Sequence, residues 1–565
     1  MPRLERLFRE LKRRRVYRVA VVYAVVAFVI WQAAEIAFPA LRLPDWTLTL
    51  VIAATILGFP IALVFAWVFD VTPEGVKRTP TSSSEAASSP DDVGIRQTVA
   101  GERSIAVLPF ADMSAEGDQE YFSDGMSEEL IDALTRVPGL RVTARTSSFQ
   151  FKGAHPDVRD VGRALGVSHV LEGSVRKSGD RLRITAQLID TSDGYHLWSE
   201  HYDRELDDVF QIQDDIAGSI ARELMIRLAD PTAVLERPRT ENLEAYDYYL
   251  RARVCLAELT PESWARRAIE LFEKAIELDP TYAAAHSGLA AAYEQLSRFA
   301  GPEAKEAMAT AREIAQRALD LDATLSEAHT VLSILAISLD WDREAARQRL
   351  EQAIRVNPND ARAWAWYAVF LLYFEKQFEE ALGSAQRARE LDPLDWAARQ
   401  QPWWVLWARG DYESYLQEAL DVISREPGFV HAHYWAGTGY LLTGRPKDAI
   451  AELDRAIELG GRAHWYLSYL AVAHARVGNL SKAREILAEI EGRVEAGAAI
   501  SSWRARIHAA LGEREEALDA LERAYEEHDR SLFHVSSDTL FDEVRSDPRF
   551  IGLLCKMGLE RWVSE

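Results

Sequence analysis

Four glycines, Gly410, Gly444, Gly478 and Gly512, stand 34 residues apart, and no other feature narrows the fold as much. Prolines give a second ruler. The segments AIRVNP, ARELDP and ISREP end at Pro358, Pro393 and Pro427, at spacings of 35 and 34. Pairs of alanines flank one larger residue at matching places: Ala268 and Ala275 around Phe272, Ala346 and Ala353 around Leu350, Ala449 and Ala456 around Leu453, Ala517 and Ala524 around Leu521. Small residues at those positions let two helices approach closely while the larger one fills the space between them. The chain therefore repeats one helix-turn-helix unit, and each unit buries an apolar face only by stacking on its neighbours.

A 34-residue helix-turn-helix period is the tetratricopeptide signature, and residues 243–531 hold about eight such units. The step from Pro280 to Ala323 is 43 residues, so nine extra residues fall near Leu296–Ala304, in a turn. The end, from Leu532, breaks the period and is expected to cap the open core, as 532–565. The resemblance implies a superhelix whose first helices line a concave groove. The family's groove-lining positions fall here on Trp366, Phe370, Tyr373, Trp404, Trp407 and Tyr434. Trp366, Phe370 and Tyr373 are spaced for one helical face. Open to solvent, such aromatics would anchor a protein or peptide partner. Packed on one another, they would only fill the superhelix. His431 and His433 are two apart on a helix and suit no shared metal.

The amino terminus reads differently. Residues 1–18 carry eight Arg or Lys, two apolar runs follow within 19–70, and the joint PALRLPD holds two prolines. Each run reaches the roughly 20 residues needed to cross a bilayer, which predicts two transmembrane helices as a hairpin. Glu35 inside the first run is read as snorkelling to the interface. Basic residues before the first run and at Lys77 and Arg78 place both ends in the cytoplasm of a bacterial inner membrane. Residues 79–103, rich in Ser, Pro and Ala, are expected to form a flexible linker.

Between linker and repeats, residues 104–230 alternate strand and helix patterns in the order β-α-β-α-β-β-β-α, an α/β unit with a mixed sheet. The strings SIAVLPF, YFSDGMSEELIDAL, LRVTARTSSFQFKG, LGVSHVLEGSVRKSGDRLRITAQLID and GYHLWSEHYDREL resemble the TolB-type amino-terminal domain, often found ahead of tetratricopeptide repeats in bacterial proteins. The acidic run Asp112, Asp118, Glu120, Asp124, Glu128 and Glu129 can be read as a magnesium or acid–base site, but carboxylates at a helix start also complement its dipole. His196 and His201 lie on opposite faces of a strand and suit no shared metal.

The expected fold is thus multidomain: transmembrane helical hairpin, α/β mixed-sheet domain, and all-α superhelix. No phosphate-binding, metalloprotease, hydrolase or kinase motif is visible, so no catalytic residue, metal or cofactor is expected. The net charge is −23; residues 1–78 hold 11 basic against 6 acidic residues, or +5, which leaves −28 for the rest. So acidic a body repels nucleic acid. The expected function is a membrane-anchored scaffold for protein partners. The alternative is a ligand-sensing or signalling protein of cyclase-associated type, its α/β domain binding a small molecule.

Overall fold

The structure, a computed structural model, describes residues 69–72 and 75–78, and then 103–563 apart from chiefly 115–119, 206–211, 220–239, 258–261, 298–303 and 495–500. Residues 1–96 and 97–565 form two compact units. In the first, β1 (Phe69–Thr72) pairs antiparallel with β2 (Gly75–Arg78), Val71 opposite Val76. This corrects the expected hairpin of membrane helices. The end of its second span, Phe69 and Asp70, is a strand, and among the described residues no helix is long and apolar enough to cross a membrane. The rest of both spans, their topology and the linker up to 102 lie outside the described residues.

The second unit opens with the mixed sheet. β3 (Arg103–Val107) runs parallel to β5 (Leu140–Val142) and to β6 (His169–Ser178), with the short β4 (Ala111–Asp112) also against β6. β6, β7 (Arg181–Asp190) and β8 (His196–Glu205) continue as an antiparallel meander, giving the order β5-β3-β6-β7-β8. The alternation of DRLRITAQLID is that of a strand with one buried face, and Leu182, Ile184, Ala186 and Leu188 are its buried set. Helix α1 (Glu120–Thr135) covers this face through Met126, Leu130 and Leu134. Helix α3 (Val158–Leu165), capped by Asp157 and ended by Gly166 at φ 64°, covers the other through Val161 and Leu165. A single turn, α2 (Arg145–Ser148), follows β5.

The repeats run from Leu243 to Glu526 as eight helix pairs: 243–278, 283–321, 326–356, 361–391, 396–425, 430–460, 464–494 and 501–526. The insertion in the second pair falls between its helices, after Leu296 and before Ala304. The glycine ruler has a backbone cause. Gly410, Gly444, Gly478 and Gly512 have φ of 81°, 74°, 84° and 76° at the turn inside each repeat, where only a residue without Cβ is unstrained. Trp341 and Lys376 continue the same ruler backwards, at φ 55° and 56°, so the third and fourth repeats make this turn with side chains that rarely adopt it.

Candidate functional site

The first helices of the repeats, which the repeat family places on the concave side, are covered by the chain itself. Toward the first repeats they receive the α/β domain. Gly125 on α1 lies so close to the helix Leu243–Ala257 that a Cβ there would sit 2.5 Å from Leu250. Glu128 bridges Arg145 of α2 (3.0 Å) and Arg253 of the first repeat (2.6 Å), and Arg253 reaches on to Glu327 of the third (2.9 Å). The inter-repeat turns complete the contact. The Asn359 amide donates to the carbonyls of Thr135 (3.1 Å) and Leu140 (3.0 Å), and its oxygen accepts from the Val142 N–H (3.3 Å). Asp392 accepts from the Ser147 N–H (3.0 Å) and hydroxyl. Burial, and then the neighbouring Asp395, push the Asp392 carboxyl up to about 7, against the downward pull of the Ser147 and Thr146 bonds.

Two predictions follow from this interface. Asn359→Ala strands a buried N–H and two carbonyls, so domain docking should weaken by about 2–3 kcal/mol; faster proteolysis of the α/β domain would show it, and an unchanged digestion pattern would refute it. Asp392 has a raised value when docked, so the docked state holds a proton that the undocked state releases. Docking should therefore tighten as pH falls from 7 toward 4 and reach its weakest level above 7. Once the base-catalysed rise in intrinsic exchange is divided out, the protection of the Ser147 amide should be at least about tenfold lower at pH 8 than at pH 5, and Asp392→Asn should flatten the profile.

Toward the last repeats the groove receives residues 532–563. Two 3-10 turns, Leu532–Ser536 and Thr539–Phe541, precede helix Pro548–Lys556. This stretch packs against the last repeat, where Leu532 and Phe533 join Leu518 and Leu521 in one cluster, and it also reaches back to the fourth. The Tyr373 hydroxyl and His534 Nδ1 are 2.7 Å apart, the Trp562 indole donates to the Tyr373 carbonyl (2.8 Å), and Arg561 donates to that of Glu375 (2.8 Å).

Of the six aromatics expected to line an open groove, Phe370, Tyr373, Trp407 and Tyr434 are buried, and Trp366 and Trp404 are half-buried. Tyr373 packs on Phe533 (4.9 Å) and Trp404 on His534 (4.5 Å), both rings of the carboxyl segment. Trp404 meets Trp407 (5.9 Å), and Trp407 and Tyr434 meet around Tyr469 (6.1 and 5.7 Å). Phe370 turns away and stacks with Phe374 (5.9 Å) under Arg347. The six do not form one open surface.

Nothing in the repeat period marks the centre of this site. Arg506 is 2% exposed, and its Nε donates to Asp538 at 2.7 Å. Its guanidinium lies 4.6 Å from the Trp503 ring and 5.8 Å from Tyr469 and Phe541. Burial, and then Arg506, hold His534 down at about 3, so it is neutral. Of the two histidines on the helix Val430–Leu442, His433 bonds Glu452 and the Pro427 carbonyl, and His431 stacks on Trp396 at 4.6 Å. In the acidic run, Asp124 bonds Lys152 and Glu128 joins the domain interface, while Asp118 lies outside the described residues.

Residues 101–219 match the family of the HilA/YgeH-like transcriptional regulator, second domain. This corrects the TolB-type resemblance drawn for the same residues. Residues 267–297 match a TPR repeat, and 342–395 and 404–465 a tetratricopeptide repeat. A protein of Rhizobium meliloti (strain 1021) named putative adenylate cyclase 3 is 40% identical over 253 residues, 44% of this chain and 41% of that protein. Transcriptional regulator HilA of Salmonella typhimurium is 21% identical over 320 residues, 56% of this chain and 55% of HilA. The chain thus spans from about two fifths to just over half of these relatives. Among solved structures, YrrB, described as a TPR protein with an unusual peptide-binding site, is 24% identical with a TM-score of 0.25, covering 35% of this chain and 95% of YrrB. Yeast Tom70 is 14% identical with a TM-score of 0.38, covering 62% and 82%. Those scores carry no weight beside the period, the helix pairs and the matched repeats, which together make the second half of this chain a tetratricopeptide-repeat array.

Proposed function

We propose that this protein is a non-catalytic scaffold that binds protein partners through the concave side of its repeats. One observation carries the reading: aromatic rings of successive first helices converge there with a buried arginine and hold a non-repeat segment through its side chains. Tetratricopeptide arrays bind protein or peptide segments, which agrees. The names of the relatives supply transcriptional regulation and nucleotide cyclisation as contexts in which such a scaffold would serve. A photo-crosslinking residue at Trp366 or Trp404 should trap one discrete partner in cells, and the same residue at Leu459, which is exposed on a second helix, should trap none. Equal labelling from both places would sink the proposal.

A second reading, a small-molecule site in the α/β domain, is favoured by one feature. Ser123, Asp124, Thr143 and Ser148 are buried, and each has a side-chain oxygen without a hydrogen-bond partner. They lie on α1, α2 and the end of β5, by the carboxyl ends of the parallel strands, where α/β folds take ligands. A thermal shift that Asp124→Asn abolishes would support it.

A further inference from the structure

We infer that residues 532–541 occupy the groove as a ligand held in cis, and that a partner segment replacing them carries an aromatic ring or neutral imidazole with a carboxylate four residues later. This rests on the scaffold reading.

The carboxylate is forced by Arg506. Asp538 is 1% exposed and is the acid that meets it; the guanidinium also donates to the Ser502 carbonyl of its own helix, at 3.3 Å, and meets the neutral Tyr469 hydroxyl. An arginine cannot shed its proton at this depth, and a buried cation without an anion is strongly unfavourable. Any occupant must therefore bring an acid, and lysine-bearing or wholly apolar segments are rejected. The ring is set by the opposite wall. Tyr373 and Trp404 hold His534 between a hydroxyl at 2.7 Å and an indole face at 4.5 Å. A neutral imidazole fits this slot, and an aromatic ring satisfies the Trp404 side of it.

The form of the segment also points to a ligand. Its backbone bonds stay local, within 529–541: Leu532 to Asp529, His534 to Ser531, Ser537 to His534 and Phe541 to Asp538. Arg545, from the same segment, closes the turn by donating to the Ser536 (2.7 Å) and Asp538 (2.9 Å) carbonyls. Residues 532–541 thus add no helix to the stack. They present side chains from a self-contained turn, a shape another chain can copy.

The test uses the full chain and a fluorescent peptide of residues 529–547. The peptide should bind the Asp538→Ala chain, whose own segment has lost its anchor, about a hundredfold tighter than it binds wild type. The same peptide with Asp538→Asn should lose that gain. No binding to an Asp538→Ala chain of native helicity overturns the inference. If that variant does not fold, hydrogen exchange in wild type decides: excess peptide should speed exchange across 532–541, and unchanged exchange overturns it. The crosslinking at Trp404 separates the two readings. A trapped partner segment without a carboxylate overturns this inference and leaves the scaffold standing, and a trapped second copy of this chain overturns the partner version.

Discussion

Replacing Asp538 with alanine should destabilise the last repeats by about 3–5 kcal/mol, because it leaves Arg506 buried and unpaired. The pair is almost without solvent, at 2% and 1% exposure, so neither water nor salt can compensate for the missing charge. The cost comes from the stranded cation more than from the lost bond. The double change Arg506→Met with Asp538→Leu should therefore recover most of the loss, since apolar replacements of a buried pair are often neutral. Urea unfolding followed by tryptophan fluorescence reads both variants. If the single and double variants unfold at the same urea concentration, the pair is a packing contact and the electrostatic account fails.

How much of this was legible depended on whether the signal was local. The repeats were legible because each turn places one residue in the left-handed region, and glycine is favoured there; Gly410 to Gly512 report four turns directly. Trp341 and Lys376 make the same turn without glycine, so that ruler stopped at the fifth repeat. The mixed sheet of the α/β domain was legible from its alternating strand and helix patterns, although its family was misassigned and its strand order was not legible. The ribbon at 69–78 escapes a count of apolar residues, which takes Phe69 and Asp70 as the end of a span and ignores turn chemistry: Pro73-Glu74, followed by Gly75, joins FDVT to GVKR and is a hairpin signal. Asn359 and Asp392 stand in NPND and LDPLD, strings that any inter-repeat turn would use. Nothing local says that these two turns face β5 and α2. Arg506 likewise occupies an ordinary first-helix position, and its partner lies 32 residues on, in a segment without period.

The same limit explains why the aromatic positions were read as one surface. Family register places Trp404 and Trp407 on the concave side, but it does not say what fills that side. Trp407 is 3% exposed, edge-on to Tyr415 at 5.7 Å and to Tyr469 at 6.1 Å; Trp404 is half-buried against His534. Trp407→Ala should then cost about 3–5 kcal/mol, as for a buried tryptophan, with partner capture lost only in proportion to unfolded protein. Trp404→Ala removes a ring that touches the occupant, so it should cost about 1 kcal/mol of stability and weaken capture about tenfold or more. One thermal melt and one binding assay on each variant separate core from contact. If Trp407→Ala melts like wild type while capture disappears, Trp407 belongs to the binding surface and the core assignment is wrong. If Trp404→Ala binds normally, the half-buried ring is filler, and the affinity of the groove resides in Arg506 and Tyr373.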